Sequence, residues 1–495
     1  MKFSEMINKA AELNDKITIL NDFEVRGLCY NSKMVKSGDV FFAIKGYKTD
    51  GNKYIPDALA GGAKAVITDD KDVEKTDKIF HVEDCRKAMA ELGNSFYDFP
   101  SRKMRITGVT GTNGKTTVTG IINYVLEQAG KKTGLIGTNG NIINKKKIET
   151  VHTTPESSDL NSLLNEMAEA GVEYATMEVS SHALELKRVY GIDFDIAVFT
   201  NLTPEHLDFH NTIENYFAAK KILFDSMQRI NYKNRNTYVI YNSDDEYGDK
   251  IISGAEPERI SFGFNNALYS VKNLSMSFDG MSFEMLVPFN GEGIDRMEVE
   301  STLTGRFNVY NILAATAALK SLGIKYSEIN NSLRSFTAVD GRFNRVKLNN
   351  GVVAIIDYSH TPDSLSKAIS TIREILNLNN PGGRIITVFG CGGNRDRQKR
   401  PVMGKIATTL SDHAIITSDN PRDEEPMDII EEIKSGITSD NYSVTEDRET
   451  AINEAIATAK KGDVILVAGK GHETYQEIKG VKYHLSDREI VEKFI

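Results

Sequence analysis

A glycine-rich segment, residues 108–117, has the composition of a loop that binds phosphates. It reads Gly-Val-Thr-Gly-Thr-Asn-Gly-Lys-Thr-Thr and lies between a strand-like run and a helical run. Glycines let backbone N–H groups face phosphate oxygens, Lys115 reaches the outer phosphates, and the Thr116 hydroxyl binds Mg²⁺. The common motif of kinases and GTPases has a glycine where this chain has Val109. The segment therefore predicts a nucleotide site of another P-loop class; the alternative is a glycine-rich turn that binds nothing.

A lysine within the apolar face of a predicted helix is the most informative single residue. At about 100° per residue, Lys220 projects from the middle of an apolar stripe, while Lys221 lies at the edge. A free ammonium group is costly to bury. Lys220 would then extend its terminus to solvent or pair with a carboxylate, unless it has a chemical role. The stripe consists of Ile213, Tyr216, Phe217, Leu223, Phe224 and Met227.

Three other polar residues are candidates for binding a metal ion. Glu178 lies at the end of a predicted strand, where a carboxylate could bind a hard cation or form a structural pair. His206 and His210 have i, i+4 spacing, which also suits zinc, but no third nitrogen or sulfur ligand is close in the sequence. Phosphate chemistry favours Mg²⁺ with mostly oxygen ligands, so we favour Mg²⁺ over zinc.

Buried strands that alternate with helices must position these residues. The alternation predicts an α/β protein with three domains, 1–99, 100–338 and 339–495, and a hinge at Asp340-Gly341. We expect a small α/β first domain, a central wound sheet and a Rossmann-like third domain. The predicted helices are Ile55–Gly62 and Lys115–Gln128. The predicted strands are Asp39–Ile44, Ala63–Thr68, Arg105–Val109, Tyr174–Val179, Ile196–Thr200, Tyr238–Tyr241, Val353–Asp357, Arg384–Phe389, His413–Ser418 and Val464–Ala468.

Composition limits the classes of protein to which the chain could belong. The 495 residues carry a net charge of −9, which argues against a nucleic-acid binder. The three cysteines, Cys29, Cys85 and Cys391, are far apart and fit a reducing compartment. The segment Met1–Asp22 lacks the pattern of a signal peptide, and no apolar run approaches the about 18 residues that span a bilayer. We therefore expect a cytoplasmic monomer that does not insert into a membrane.

The run Thr-Gly-Thr-Asn-Gly-Lys-Thr-Thr resembles the phosphate loop of the Mur ligase family and of its folylpolyglutamate synthetase relatives. Later segments resemble the family's motifs in the same order, so the resemblance covers essentially the whole chain. These segments are Met177–Leu184, with a glutamate and serines; Asn201–Asp208, with a metal-binding histidine; Tyr216–Phe224, with a modified lysine; and the nucleotide-binding Gly305–Asn308 and Asp357–Pro362.

Within the family, the chain most resembles members that add diaminopimelate or lysine to a cell-wall precursor. The markers are Asp50-Gly51, His152–Pro155, Phe389–Arg397 and Gly469–Glu473. The resemblance implies that the chain joins meso-diaminopimelate to the D-glutamate of UDP-N-acetylmuramoyl-L-Ala-D-Glu, while ATP becomes ADP and phosphate. The alternatives are a lysine-adding homologue, a folylpolyglutamate-synthetase-like ligase and a P-loop ATPase switch. The first domain and the Asp-Asn-Pro-Arg run argue against the folate ligase.

The resemblance also implies the residues of the nucleotide and metal sites. Lys115, Glu178, His206 and Lys220 are the implied catalytic residues. Mg²⁺ binding is implied for Thr116, Glu178, His206 and Lys220, the last as a carbamate formed with CO₂. ATP binding is implied for Gly111, Thr112, Asn113, Gly114, Lys115, Thr116, Thr117, Asn308, Arg342, Asp357 and His360.

Two further groups of residues are implied to bind the other substrates. Asn31, His152 and Leu186 depart from the family's usual residues at their positions. UDP-substrate binding is implied for Tyr30, Ser32, Tyr47, Lys48, Thr49, Thr153, Thr154, Ser180 and Arg188. Diaminopimelate binding is implied for Arg395, Asp419, Asn420, Pro421, Arg422, Gly469 and Glu473.

Arg422 also has features of a carboxylate-binding residue without the family. It follows a predicted strand end and a turn that Pro421 stiffens, and an arginine there suits bidentate carboxylate binding. We expect Asp419 and Asn420 to support it. The alternative is a surface arginine that pairs with Asp423 or Glu424.

Overall fold

Three sheets of mainly parallel strands follow one another along the chain, as the α/β prediction requires. The computed structural model describes residues 1–495 except 11, 12, 14–16, 18, 20, 47, 48, 151, 228–231 and 289–293. Within this described part, no helix combines the length and the apolar character needed to span a membrane.

The first sheet has four parallel strands in the order β1-β2-β3-β4. All residues of β2 and β3 are buried, because helices cover the faces of a parallel sheet. The helix predicted at 55–62 is confirmed and ends two residues earlier. The elements are α1 Phe3–Lys9, β1 Gly27–Cys29, β2 Asp39–Phe42, α2 Ile55–Ala60, β3 Ala65–Thr68, β4 Ile79–His81 and α3 Cys85–Phe96, with 3-10 helices at Ser32–Met34, Gly51–Tyr54 and Pro100–Lys103.

The central sheet has eight strands in the order β12-β11-β10-β5-β9-β6-β7-β8, in which β7 runs antiparallel to its neighbours β6 and β8 and the other neighbouring strands are parallel. Strand β5 lies between β10 and β9, so the loops after these three strands meet at one edge. The elements are β5 Arg105–Thr110, α4 Lys115–Gln128, β6 Thr133–Ile136, β7 Asn141–Ile143, β8 Lys146–Ile148, α5 Ser157–Glu169, β9 Tyr174–Glu178, α6 Ser181–Glu185, β10 Ile196–Phe199, α7 Leu207–His210, α8 Ile213–Ser226, β11 Tyr238–Asn242, α9 Gly248–Ile251 and β12 Glu258–Phe262.

A three-stranded antiparallel sheet that was not predicted follows the central sheet. Its middle strand alternates buried and more exposed residues, with Met281, Phe283, Met285 and Val287 buried. This period of two was a readable strand signal in the sequence. The elements are β13 Ser270–Ser277, β14 Gly280–Pro288, β15 Ile294–Ser301, α10 Arg306–Ser321 and α11 Tyr326–Ser335.

The last sheet has six strands in the order β16-β17-β21-β18-β19-β20, with β16 antiparallel at one edge. Strands β17 and β21 have the predicted bounds, whereas β18 and β19 are shorter than predicted. The elements are β16 Asn344–Lys347, β17 Val353–Asp357, α12 Pro362–Asn379, β18 Ile385–Phe389, α13 Lys399–Leu410, β19 His413–Ile416, α14 Pro426–Lys434, β20 Tyr442–Val444, α15 Arg448–Thr458, β21 Val464–Ala468, a hairpin of β22 Tyr475–Ile478 and β23 Val481–His484, and α16 Asp487–Glu492.

A buried arginine of α13, Arg400, forms an ion pair with Glu424, and this pair leads to a prediction about the stability of the protein. The Arg400 guanidinium has 0% exposure and donates to both Glu424 oxygens at 2.9 Å. This hydrogen bonding lowers the pKa of Glu424 from 4.5 to about 2. Glu424→Gln should therefore destabilise the protein by about 2 kcal/mol at pH 7, the worth of a hydrogen bond to a charged group.

The pH dependence of this destabilisation has a definite sign. The pKa of Glu424 is lower in the folded than in the unfolded state, so its contribution is complete above about pH 4.5 and is lost toward pH 2. Thermal midpoints of wild type and Glu424→Gln should converge as the pH falls. Glu425→Gln, at an exposed pair with Lys479, is the matched control and should change little. A constant difference between pH 7 and pH 3 would contradict this assignment.

Candidate active site

The predicted phosphate loop joins β5 to α4 in a backbone shape that requires glycine. Gly111 and Gly114 have φ of +145° and +90°. A Cβ on Gly111 would lie 1.9 Å from the Thr200 Oγ1, so no side chain fits there. Lys115 begins α4, and its Nζ donates to the carbonyls of Gly111 and Thr112 at 2.8 and 2.9 Å. The lysine terminus therefore lies in the loop, where a phosphate could replace these carbonyls.

A carboxylate and a hydroxyl meet beside this loop. Thr116 Oγ1 donates to Glu178 Oε2 at 3.0 Å, and Arg342 Nη2 donates to the same hydroxyl at 3.2 Å. The Glu178 side chain is buried and also accepts from the Thr138 N–H at 2.8 Å. Oxygen donors of this kind suit a hard cation such as Mg²⁺. Thr116, in the first turn of α4, and Glu178, at the end of β9, therefore fit the predicted metal site.

Lys220 is buried in α8 beneath the loop. It is 1% exposed, its Nζ donates to the Gly111 carbonyl at 2.9 Å, and it lies 4.3 Å from the centroid of the Tyr216 ring. No carboxylate of the described residues lies within 4.0 Å of this Nζ. Neither of the two structural alternatives for Lys220 is therefore observed: its Nζ does not extend to solvent, and it has no carboxylate partner among the described residues. Burial, with added repulsion from Lys115, holds the pKa of Lys220 well below its ordinary value.

Three histidines gather near Lys220, one more than the sequence indicated. The His206 ring lies 4.8 Å from that of His182 in α6, which the sequence did not indicate as a ligand. His210 instead contacts Ser181 Oγ through its Nε2 at 3.0 Å. Burial lowers the pKa of His206 to about 3 and those of His182 and His210 to about 4, so all three are neutral at pH 7. No group of three or more metal-binding side chains in the described residues has the geometry of a metal site.

A cavity of about 650 Å³ connects the phosphate loop to the last unit. Glu205, which was not predicted, also lines it, with its carboxylate oxygens 3.7 Å from His206 Nε2 and 3.8 Å from His360 Nε2. The signal available for Glu205 was its position next to His206. The predicted site residues that line the cavity are Thr112, Asn113, Gly114, Lys115, Thr116, Thr117, Thr153, Glu178, Ser180, His206, Lys220, Asn308, Arg342, Asp357 and His360.

The part of the cavity wall formed by α10 and the last unit carries three residues predicted to bind ATP. Asp357 accepts from the Phe343 N–H at 2.7 Å, and burial raises the pKa of its carboxyl group. His360 holds its Nδ1 2.8 Å from the Tyr358 carbonyl, and burial lowers its pKa to about 4. Asn308 donates to the Thr304 carbonyl at 2.8 Å. Hydrogen bonds to the backbone hold all three side chains in place.

The residues predicted to bind the UDP substrate do not form one continuous lining as the predicted ATP-binding residues do. Thr153 Oγ1 lies 3.1 Å from Thr138 Oγ1 in the cavity wall, whereas Thr154 is fully buried and donates to the Glu178 carbonyl at 2.8 Å. Arg188 Nη2 lies 2.7 Å from Glu156, and Ser180 caps α6.

In the first unit, the predicted UDP-binding residues lie apart from the cavity lining. The Tyr30 hydroxyl donates to Asp159 at 2.6 Å, Ser32 begins a 3-10 helix, and the Thr49 carbonyl accepts from Gly46 at 2.9 Å. The predicted Tyr47 and Lys48 lie outside the described residues.

The predicted amino-acid pocket surrounds two glycines of the last unit. A Cβ on Gly392 would lie 2.9 Å from Arg422 Nη1 and 3.8 Å from Arg395 Cγ, so both arginines flank this glycine. A Cβ on Gly393 would lie 1.9 Å from the Pro421 carbonyl. The absence of side chains at Gly392 and Gly393 therefore allows the Asp-Asn-Pro-Arg segment to lie close to the backbone of these two residues.

Arg422 has other partners than the sequence indicated. Its Nη1 donates to the Gly393 carbonyl at 2.8 Å, and its Nε lies 3.5 Å from Glu477 in β22. The expected support from Asp419 and Asn420 is not what the structure shows, because Asn420 donates to Glu473 at 2.8 Å and accepts from Lys470 at 3.1 Å. Asp419 instead packs against Gly469, where a Cβ would lie 2.7 Å from its Oδ2.

The fold is that of a three-domain α/β protein in which a glycine-rich loop lines a cavity between the second and third units. The model of the Mur ligase family catalytic domain matches residues 24–97, that of the Mur ligase middle domain matches 109–319, and that of the Mur ligase glutamate ligase domain matches 341–471. The chain belongs to the Mur ligase family.

Named relatives are similar over nearly their whole length. The UDP-N-acetylmuramoyl-L-alanyl-D-glutamate--2,6-diaminopimelate ligase of Clostridium botulinum is 45% identical over 96% of this chain and 96% of its own. The Clostridium tetani protein of the same name is 42% identical over 100% and 99%. A solved structure of a ligase with this name has a TM-score of 0.69 at 32% identity and covers 99% of this chain and 98% of its own.

Proposed function

We propose that the chain is an ATP-dependent ligase that adds meso-diaminopimelate to the D-glutamate of UDP-N-acetylmuramoyl-L-Ala-D-Glu, a step in peptidoglycan precursor synthesis. The observation that carries the proposal is the cavity in which a phosphate loop, Glu178 and a buried Lys220 meet the last unit. Relatives at 42–45% identity bear the name of this ligase. The lysine-adding alternative has no such support among these relatives.

The chemistry requires activation of a carboxylate, because a carboxylate is a poor acyl donor. Transfer of the terminal phosphoryl group of ATP makes an acyl phosphate, and the amine then attacks the acyl carbon with phosphate as leaving group. Phosphoryl transfer depends mainly on positioning and charge neutralisation. Lys115 and Arg342 supply positive charge at the loop. Mg²⁺, which Thr116, Glu178 and His206 would hold, neutralises phosphate charge when it is bound.

We also propose that Lys220 carries a carbamate. Burial holds the pKa of Lys220 well below its ordinary value and so raises the fraction of neutral amine, whose nitrogen lone pair can attack CO₂; loss of one proton then gives the carbamate anion. The anion would place oxygen donors beside the loop, where Lys115 balances its charge. Carbamate formation therefore accounts for a buried lysine without a carboxylate partner.

The domain limits 1–99, 100–338 and 339–495 stay proposals, as do action as a monomer and a cytoplasmic location. The unpaired Cys29, Cys85 and Cys391 support a reducing compartment.

The ligase and the ATPase-switch functions predict that the rate of ADP release depends differently on the carboxylate and amino-acid substrates. ADP release should be slow with ATP alone and should rise when both the UDP-dipeptide and diaminopimelate are present. A coupled assay of ADP release, with the tripeptide product identified by mass, measures this difference. Fast ATP turnover that no carboxylate substrate increases would favour the P-loop switch.

Replacing Arg422 should impair the use of diaminopimelate without creating efficient use of lysine. A second carboxylate distinguishes diaminopimelate from lysine, and a guanidinium binds it through two parallel hydrogen bonds. We expect Arg422→Ala to lower kcat/KM for diaminopimelate by at least about ten-fold without efficient use of lysine, since removing one partner builds no new contact. Arg422→Lys should also fail, because a point charge does not replace the fork.

The control for this prediction is Lys479→Ala, an exposed cation of the adjacent hairpin that pairs with Glu425. It should retain the wild-type preference. Unchanged kcat/KM for diaminopimelate in Arg422→Ala would show that another residue holds the distal carboxylate.

A further inference from the structure

One carboxylate oxygen links the last unit to the phosphate loop across the cleft. Asp363, in the first turn of α12, accepts through its Oδ2 from Asn113 Nδ2 at 2.8 Å and from Thr203 Oγ1 at 3.2 Å. Lys367, one turn further along, donates to the same oxygen at 2.8 Å. Asn113 and Thr203 belong to the central unit, 250 and 160 residues away in the chain. The contact is therefore between domains rather than within a helix.

The central side of this contact is held in place by its own hydrogen bonds. The Asn113 N–H donates to Asn201 Oδ1 at 3.0 Å, and the Asn113 carbonyl accepts from Thr200 Oγ1 at 2.6 Å. The Thr203 N–H donates to Thr112 Oγ1 at 3.0 Å. These hydrogen bonds hold the two donors to Asp363 in place within the central unit.

Other contacts between the two units lie beyond the junction as well as close to it. Asn379 Nδ2 donates to the Met276 carbonyl at 3.1 Å, and Glu205 lies 3.8 Å from His360 Nε2. Asn139 Nδ2 donates to the Asp340 carbonyl at 3.1 Å, and Arg342 donates to Thr116 at 3.2 Å. Asp363 adds to these contacts a carboxylate that accepts both from the turn of the phosphate loop, at Asn113, and from the loop after β10, at Thr203.

We infer that Asp363 is a positioning residue that holds the last domain in the orientation that presents the amino acid to the phosphate loop. The inference rests on the proposed function, because it concerns delivery of the amine to an acyl phosphate formed at that loop. Asp363 does not touch the reacting atoms. Its loss should reduce the fraction of enzyme in the productive orientation while leaving the nucleotide loop itself intact.

Two substitutions and a matched control test the inference by kinetics. Asp363→Ala should lower kcat and raise KM for diaminopimelate, about ten-fold in kcat/KM, the size expected for losing a hydrogen bond to a charged group. ADP binding to the free enzyme should change less than about three-fold. Asp363→Asn keeps an oxygen acceptor and should retain most of the activity. Asp428→Ala removes an exposed first-turn carboxylate of α14 and should behave as wild type.

Solution scattering measures the orientation without depending on ligation. The radius of gyration of Asp363→Ala should exceed that of wild type and of Asp428→Ala, at an unchanged thermal midpoint. A wild-type radius with unchanged KM for diaminopimelate would overturn the inference, and so would a parallel fall of ADP binding and thermal midpoint, which indicates a general structural role. If wild type does not ligate diaminopimelate but the radius still responds, the proposed function fails and the interdomain contact stands.

Discussion

Replacing Lys115 with alanine should abolish measurable ligation. The Lys115 side chain is half-buried, and its ammonium group donates to two carbonyls of the loop. Burial lowers its pKa, so an anionic phosphate beside it would stabilise its charged form. Removing the principal cation leaves the phosphates without orientation, even if Mg²⁺ still binds. We expect a loss of about a hundred- to a thousand-fold in kcat, as for removal of one preorganised charge-stabilising donor. The rate of ADP release in the presence of all three substrates measures it.

Lys103→Ala is the matched control for this variant. Lys103 is an exposed lysine just before β5, at the opposite end of the strand that leads into the loop. It should retain the wild-type rate. Near-normal ligation by a folded Lys115→Ala protein would mean that residues 108–117 do not form the nucleotide site.

Replacing Lys220 with alanine should also leave the enzyme nearly inactive, again by at least about a hundred-fold. The variant loses the anionic group that the carbamate would place beside the loop. Short-chain carboxylic acids should restore part of the activity, because they supply a carboxylate to the vacated space. The measurement is the ligation rate with and without added acid, beside a ¹³CO₂ label on the wild-type lysine.

The neighbouring residue provides a control of the same type. Lys221→Ala removes a half-buried lysine whose Nζ pairs with Asp225 at 2.5 Å. The ligation rate of this variant should be close to that of the wild type. Full activity of Lys220→Ala, together with density for an unmodified ammonium in the wild type, would refute the carbamate.

Local sequence patterns predicted the parts of the site that depend on local structure. The glycines and Lys115 mark a strand, a tight turn and a helix start, and each is a property of neighbouring residues. The apolar stripe of α8 placed Lys220 inside the protein, and it is 1% exposed. Strands β17 and β21 were readable because buried parallel strands are continuous apolar runs.

Contacts between distant segments could not be read in this way. The approach of His182 to His206, and of Glu205 to His360, depends on how loops after β9 and β10 meet β17 and α12. Glu477 contacts Arg422 from a hairpin of mainly polar residues that gave no strand signal. The interdomain contact of Asp363 likewise needs the orientation of two whole sheets.

The most direct test of the proposed function is a comparison of two acceptors on the wild-type protein. Ligation rates are measured with UDP-N-acetylmuramoyl-L-Ala-D-Glu, ATP and either meso-diaminopimelate or L-lysine. With lysine bound, a guanidinium fork would lack its carboxylate, and sites built to bind a polar group reject analogues that lack it. We expect kcat/KM to favour diaminopimelate by at least about a hundred-fold. Equal use of lysine, or ligation of neither amino acid, would contradict the proposal.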